Sequence, residues 1–304
     1  MADIRAVDLP ELRAELVNFM LQHGPRVFAT YIERDMFPVR PDLPRGEAGA
    51  YLSQAEAHRL CGDLFFVSSP MTELAKAAGR SLPGFNLMPE DVPTQRGLIV
   101  FESPMAIVEE DGDPVHLIAA AWSRWNGAPK AWRHGGLWIS WYSDRDNPER
   151  PGPKPPTRLI YDNEIQAPFH PDPIPIHDSA TGELVAPGEI SYPIDVLKSA
   201  WLLMQQPLAH IEEVTPDRPS RKRLRRLGHE PSAVRVVHLR RASRPSGVGE
   251  SDREYHHQWI VRGHWRQQWY PSRQVHRPVW IAPHVKGPEG APLIGGEKVH
   301  AWVR

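Results

Sequence analysis

The 304-residue chain is 40% hydrophobic and 24% charged, which excludes wholesale disorder, while 33 prolines exclude long uninterrupted helices over much of its length. A single cysteine, Cys61, excludes an internal disulfide and a cysteine-based zinc site. There is no leader-like basic and apolar start after Met1 and no apolar run long enough to span a bilayer, so the expectation is a cytoplasmic protein with no membrane partner.

In chain order, Asp8 followed by Pro10 and apolar residues at Leu9, Leu12, Val17, Met20 and Leu21 predicts a capped helix ending near Gly24. Ser53 with Glu56 has the spacing of a capping box and predicts a second helix through Ala57 and Leu60. A third is predicted from Pro70 to Ala78, stopped by Gly79. Three strands follow, Gly97 to Glu102, His116 to Trp125 and Gly136 to Tyr142, each rich in β-branched or aromatic residues between turn formers; they predict an antiparallel meander. Between Asp144 and Pro193 lie 11 of the 33 prolines, which predicts a long irregular crossing interrupted by a strand from Arg158 to Ile165. Ile194, Val196, Leu197, Ala200, Trp201 and Met204 then predict a buried helix whose stripe is core.

The near-zero net charge hides a split. From Arg218 onward there are 18 Lys and Arg against 6 Asp and Glu, or +12, leaving 18 against 31, or −13, in residues 1–217. Such asymmetry points to an anionic partner, nucleic acid above all; the competing reading is that the two parts neutralise each other internally. The basic tract at 218–228 includes Arg221, Lys222, Arg223, Arg225 and Arg226 and reads as an exposed phosphate-binding segment with one or two helical turns. Strands are predicted over 233–241, 255–270, 276–286 and 298–303. The expected fold is therefore α+β: an acidic helical and antiparallel-sheet lobe (1–143), a proline-rich crossing (144–193), a packing helix (194–217) and a basic, tryptophan-rich antiparallel β module (218–304).

Within that module, alternation along 255–270 puts Trp259, Trp265 and Trp269 on a core face. Arg262, His264, Arg266 and Gln268 fall on the opposite face, and Gly263 is a candidate bulge. Arginines two apart can grip successive phosphates, and His and Gln can reach sugar or base edges. The next strand adds His276, Trp280, His284 and Lys286, with Trp280 as a stacking platform for RNA or single-stranded nucleic acid. Two other readings compete: Arg262, His264 and Arg266 lock onto carboxylates of the acidic lobe, or His264 and His276 act as acid and base with Arg266 in a metal-independent ribonuclease. His170, Asp172, His177 and Asp178 have ligand chemistry but no metal-site spacing, and the common nucleotide and hydrolase motifs are absent, so neither a metal nor a cofactor is expected.

The runs Tyr255-His-His-Gln-Trp-Ile-Val-Arg-Gly-His-Trp-Arg-Gln-Gln-Trp-Tyr and His276-Arg-Pro-Val-Trp-Ile-Ala-Pro-His-Val-Lys resemble a group of proteins carried by actinobacterial phages, plasmids and integrated elements. That resemblance covers Val234 to Arg304 and, more weakly, Gly136 to Tyr142 and Ile194 to Met204. The Arg-Gly-His-Trp-Arg core followed by a Trp-Ile strand is also similar to the C-terminal part of a type V anti-CRISPR family. This second resemblance implies a binding protein that recognises a polypeptide target and RNA rather than an enzyme, and it points only to Arg262, His264 and Arg266. The leading expectation is a non-catalytic nucleic-acid-binding accessory protein of a mobile element; the alternatives are a protein-binding regulator and the ribonuclease.

Overall fold

The computed structural model describes residues 4–33, 44–85, 87–110, 113–125, 135–149, 154–169, 192–240, 258–272 and 274–286. A sheet of eight strands carries helices on both faces. Its strands are β1 (Asp63–Val67), β2 (Arg96–Phe101), β3 (Ala106–Glu110), β4 (Asp113–Trp125), β5 (Gly136–Asp144), β6 (Leu159–Pro168), β7 (Ala209–Val214) and β8 (Val234–Leu239). The order is β6-β5-β4-β2-β1-β8-β7, with β3 paired to β4 beyond the end of β2. One half, β2 through β6, is the expected antiparallel meander. The other half turns on β1, which runs parallel to both β2 and β8.

Alternation along β1 divides the core in two. Leu64 and Phe66 join Leu98, Val100, Ala119, Ala121, Tyr142, Val234 and Val236 on the face covered by α1 (Leu9–Glu33) and α2 (Arg45–Leu60). Phe65 and Val67 join Ile99, Phe101, Trp122 and Val237 on the face covered by α3 (Ser69–Gly79) and α4 (Tyr192–Met204). On this second side Val196, Leu197, Ala200 and Trp201 of α4 are fully buried, and Trp201 meets Trp122 edge-on at 5.2 Å. The α+β class and the core role of α4 are as the sequence suggests.

Several local expectations are overturned. Asp8 reaches back, accepting from the Arg5 guanidinium at 2.9 Å, and ends a short 3-10 turn rather than capping α1. Nor does α1 stop at Gly24; it continues through Pro25 to Glu33. Gly24 and Gly49 sit where α1 and α2 cross: a Cβ on Gly49 would lie 2.6 Å from the Pro25 carbonyl oxygen. The glycine serves close helix approach there, not termination. Ser53 and Glu56 are in the middle of α2, so they form no capping box; Ser53 donates to the Met20 carbonyl and Glu56 turns into the core. The strand at 233–241, which the sequence groups with the basic module, is β8 of the main sheet.

The basic tract forms α5 (Arg218–Arg226), capped by Asp217, whose carboxylate accepts the Ser220 N–H at 2.8 Å, and ended by Gly228 at φ +81°. Leu224 is its buried anchor, and Arg223 pairs with Glu11 of α1 at 2.8 Å. The remaining strands are β9 (Trp259–Val261), β10 (His264–Tyr270), β11 (Val275–Ile281) and β12 (His284–Lys286), which make a two-stranded ribbon over the α3/α4 layer. The strand expected at 298–303 and the candidate metal ligands His170, Asp172, His177 and Asp178 lie outside the described residues.

The α1/α2 crossing is tight enough to test. Gly49→Ala should destabilise the protein by about 1–3 kcal/mol, the usual cost of overpacking against backbone, read as a lower urea midpoint.

Candidate nucleic-acid interface

The ribbon is broken where the sequence places its only mid-strand glycine. Between β9 and β10 lie Arg262 and Gly263; between β11 and β12 lie Ala282 and Pro283. A Cβ on Gly263 would collide with the Trp280 ring and come within 3.1 Å of Pro283 Cδ, so the glycine lets the indole cross the break. Beyond it, β10 and β11 pair in antiparallel register, with Trp265 opposite Trp280 and Trp269 opposite His276.

That register sorts the expected site residues. Trp280 is buried at 6% exposure and packs edge-on against Trp265 at 5.3 Å, while the Trp265 indole N–H donates to the Ala78 carbonyl at 2.8 Å. Trp280 is thus a foot of the ribbon in the core and not a stacking platform. Arg262, His264 and Arg266 are exposed, and Gln268 is half-buried, opposite Arg277. His264 Nδ1 lies 3.0 Å from the Arg262 carbonyl, and Arg266 donates to Gln268 Oε1 at 2.8 Å. His284 makes the matching contact to the Ala282 carbonyl at 3.0 Å, and Lys286 is exposed on β12.

His276 does not join this face. It sits beside Trp269 at 4.8 Å, and the register puts it on the opposite side of the ribbon from His264. Five residues separate their levels, roughly 17 Å at strand rise, so the two imidazoles cannot serve one phosphodiester as acid and base. Nor does the basic tract lie alongside. Arg221, Lys222, Arg225 and Arg226 are exposed on α5, which packs on α1 across the sheet from the ribbon.

A lock of the expected kind is made by Arg277, whose guanidinium pairs with Glu90 at 3.1 Å and with the fully buried Asp91. Gln205, just past the end of α4, donates to the Asp91 carbonyl at 3.0 Å and Arg124 to the Val92 carbonyl at 2.9 Å, so the same loop is clamped from three sides. Arg277 is one of several basic residues in the strand, and nothing in spacing distinguished it.

The sequence reading also missed a buried polar knot on the other face. The Arg59 guanidinium bonds Glu56 and Ser140, lies 5.1 Å from the centre of the Trp138 ring and is 3.8 Å from Glu164. Glu56 additionally accepts from Ser140 Oγ at 2.6 Å and from the Tyr142 hydroxyl. One guanidinium faces two carboxylates. Burial, eased by Arg59 and reinforced by Glu56, raises the Glu164 carboxyl to about 7, and burial with the Glu56 charge raises the Tyr142 hydroxyl. The knot ties α2 to β5 and β6.

No family model matches the chain, and no curated protein matches it. Among solved structures it is similar to the crystal structure of AcrVA2, with 12% sequence identity over 91% of this chain and 93% of that one, at a TM-score of 0.36. A score this low does not establish a shared fold. Among the described residues no helix is long and apolar enough to cross a membrane.

Two measurements check these assignments. Arg277→Ala strands the buried Asp91 charge and should cost about 3–5 kcal/mol, whereas Arg266→Ala should change stability by about 0.5 kcal/mol or less; thermal melts compare them. Because the Glu164 pKa is raised above its unfolded value, native protein holds a proton that unfolded chain has lost, so stability should fall as pH rises from about 4.5 to about 7, by roughly 3 kcal/mol at most. Glu164→Gln, neutral at every pH, should flatten that slope in urea titrations.

Proposed function

We propose that the protein binds single-stranded RNA or DNA along the ribbon, without catalysis. The observation that carries this is the chemistry of 258–286, which contains no Asp or Glu, four described cations (Arg262, Arg266, Arg277 and Lys286) and exposed aromatic side chains. Arg277 is committed to Asp91 and Glu90. Arg266 and Lys286, exposed on the ribbon, supply the phosphate contacts. Tyr270, 38% exposed and on the Arg266 face by alternation along β10, replaces Trp280 as the stacking surface near the free end of the hairpin. The helix α5 supplies a second positive surface on the other side of the molecule, suited to nonspecific phosphate attraction.

The ribbon also exposes Val275 at 41% beside the turn and Val285 at 55% at its other end, which favours a protein target as the second reading. Salt separates the two. Two phosphate contacts to a single strand give a slope of log affinity against log salt of roughly −1.4, whereas a contact dominated by Tyr270 and the valines is nearly flat.

For a short oligonucleotide, Tyr270→Ala should weaken binding roughly tenfold, in line with the worth of one base stack, and Arg266→Ala should reduce the salt slope by about one step. Replacing Arg221, Lys222, Arg225 and Arg226 together by Gln should leave the short complex intact. Fluorescence anisotropy at several salt concentrations makes these comparisons. Retained affinity in Tyr270→Ala removes the ribbon, and loss in the α5 variant moves the site to the opposite side of the sheet.

A further inference from the structure

The parallel strands β1, β2 and β8 begin at the same end of the sheet, and a cleft of about 720 Å³ opens there between the Cys61–Asp63 turn, the Thr94–Arg96 segment and the Gly228–Ser232 segment. Its volume is that of a small-ligand site. Arg13 of α1 lines it at 7% exposure, held by hydrogen bonds from Nη1 to the Gly62 carbonyl and from Nη2 to Ser232 Oγ, both at 2.8 Å. Both acceptors are neutral. The neighbouring acid, Asp63, lies 3.6 Å from Arg235, and the other acid at the cleft, Glu230, is exposed. A guanidinium buried among neutral groups keeps its charge at a solvation cost that an arriving anion would offset; burial is the main influence on Arg13, pulling its pKa down.

A second guanidinium stands at the rim. Arg96 is half-buried, and its Nη1 lies against His58 Nε2. Burial and then the Arg96 charge lower the His58 pKa. Across the cleft His229 is anchored on Asn18 Oδ1 at 3.1 Å, and burial followed by the Arg13 charge lowers its pKa too. The cleft therefore presents the guanidiniums of Arg13 and Arg96 and the imidazole of His229, with Asp63 turned to Arg235 and Glu230 exposed at its edge. The opposite end of the same strands is closed: Glu102 accepts the Ser69 N–H at 2.6 Å at the start of α3, and the Ser68 N–H donates to the Val237 carbonyl at 3.1 Å.

We propose that this cleft is a binding site for a phosphate dianion, free or as a phosphomonoester, with Arg13 as the buried anchor and Arg96 as the rim contact. Two guanidiniums match a dianion better than a single carboxylate, and the fork of each suits adjacent phosphate oxygens. The site is separate from the ribbon and does not depend on it.

Calorimetric titration of the full chain at constant ionic strength tests the assignment, with inorganic phosphate, a nucleoside 5′-monophosphate and the uncharged nucleoside as probes. Saturable binding of one phosphate-bearing probe per chain is expected, with none for the nucleoside. Tighter binding of the monophosphate than of inorganic phosphate assigns the site to a monoester, and equal binding assigns it to phosphate itself. Arg96→Ala should weaken binding at least about tenfold and Arg96→Lys less, while Tyr270→Ala should bind as the wild type. No saturation by either phosphate probe at about 10 mM, a range that still detects millimolar affinity, or affinity unchanged in Arg96→Ala, overturns the proposal.

Discussion

Five residues join the two halves of this protein. β1 pairs with β2 on one side and β8 on the other, both in parallel, and four of its five side chains are buried. Without it the meander of β2 to β6 and the β7–β8 hairpin are separate antiparallel units, each with an open edge. With it they become one sheet whose two faces are fixed by the alternation of Leu64, Phe65, Phe66 and Val67. Every surface considered for function inherits its position from that division. Because α5 follows β7 on the α1 side and the ribbon follows β8 on the α3/α4 side, two positive segments close in sequence face opposite ways.

The split in charge between the two parts of the chain has a mixed structural outcome. Some of it is neutralised internally, by Arg223 with Glu11, Arg235 with Asp63 and Glu213, and Arg277 with Glu90 and Asp91. These pairs attach α5, β8 and the ribbon to the acidic body, and only the last has a fully buried member. The exposed cations of α5 and of β10 are surplus to that architecture. Arg59 shows the opposite arrangement within the acidic part, where one buried cation serves two carboxylates and leaves one of them a weak acid.

What could be read in advance follows the range of the interactions involved. The meander strands and α4 were legible because alternation, β-branching and flanking turn residues are local, and the structure needed only to pair them. β1 was not: Leu-Phe-Phe-Val immediately after a helix has no alternation, since both sides of the strand are covered, and so reads as either helix end or core. β7 was missed because His210, Glu212 and Glu213 leave little apolar signal on a strand at the sheet edge. Ser53 and Glu56 misled because a capping-box spacing and two neighbours on one helix face are the same spacing. In the ribbon, Gly263 was read as a bulge, whereas two residues, Arg262 and Gly263, face two, Ala282 and Pro283, so the alternation is not shifted and the inward side of Trp265 followed from it. Whether Trp280 shared that side depended on which residue it opposed, and register across a turn is set by the tertiary contacts of both indoles.

The paired interruptions of the ribbon have a further consequence for how this protein behaves at high concentration. A two-stranded ribbon has two open edges, each an invitation to pair with another chain. Here β9 and β12 are three residues each, the break at Arg262–Gly263 faces the break at Ala282–Pro283, and Pro278 removes a backbone donor inside β11. No straight edge runs the length of the ribbon, so a neighbouring molecule finds no continuous template for intermolecular sheet growth. The bend that seats an indole in the core thus also protects an exposed hairpin from fibre-like self-association, without a covering helix.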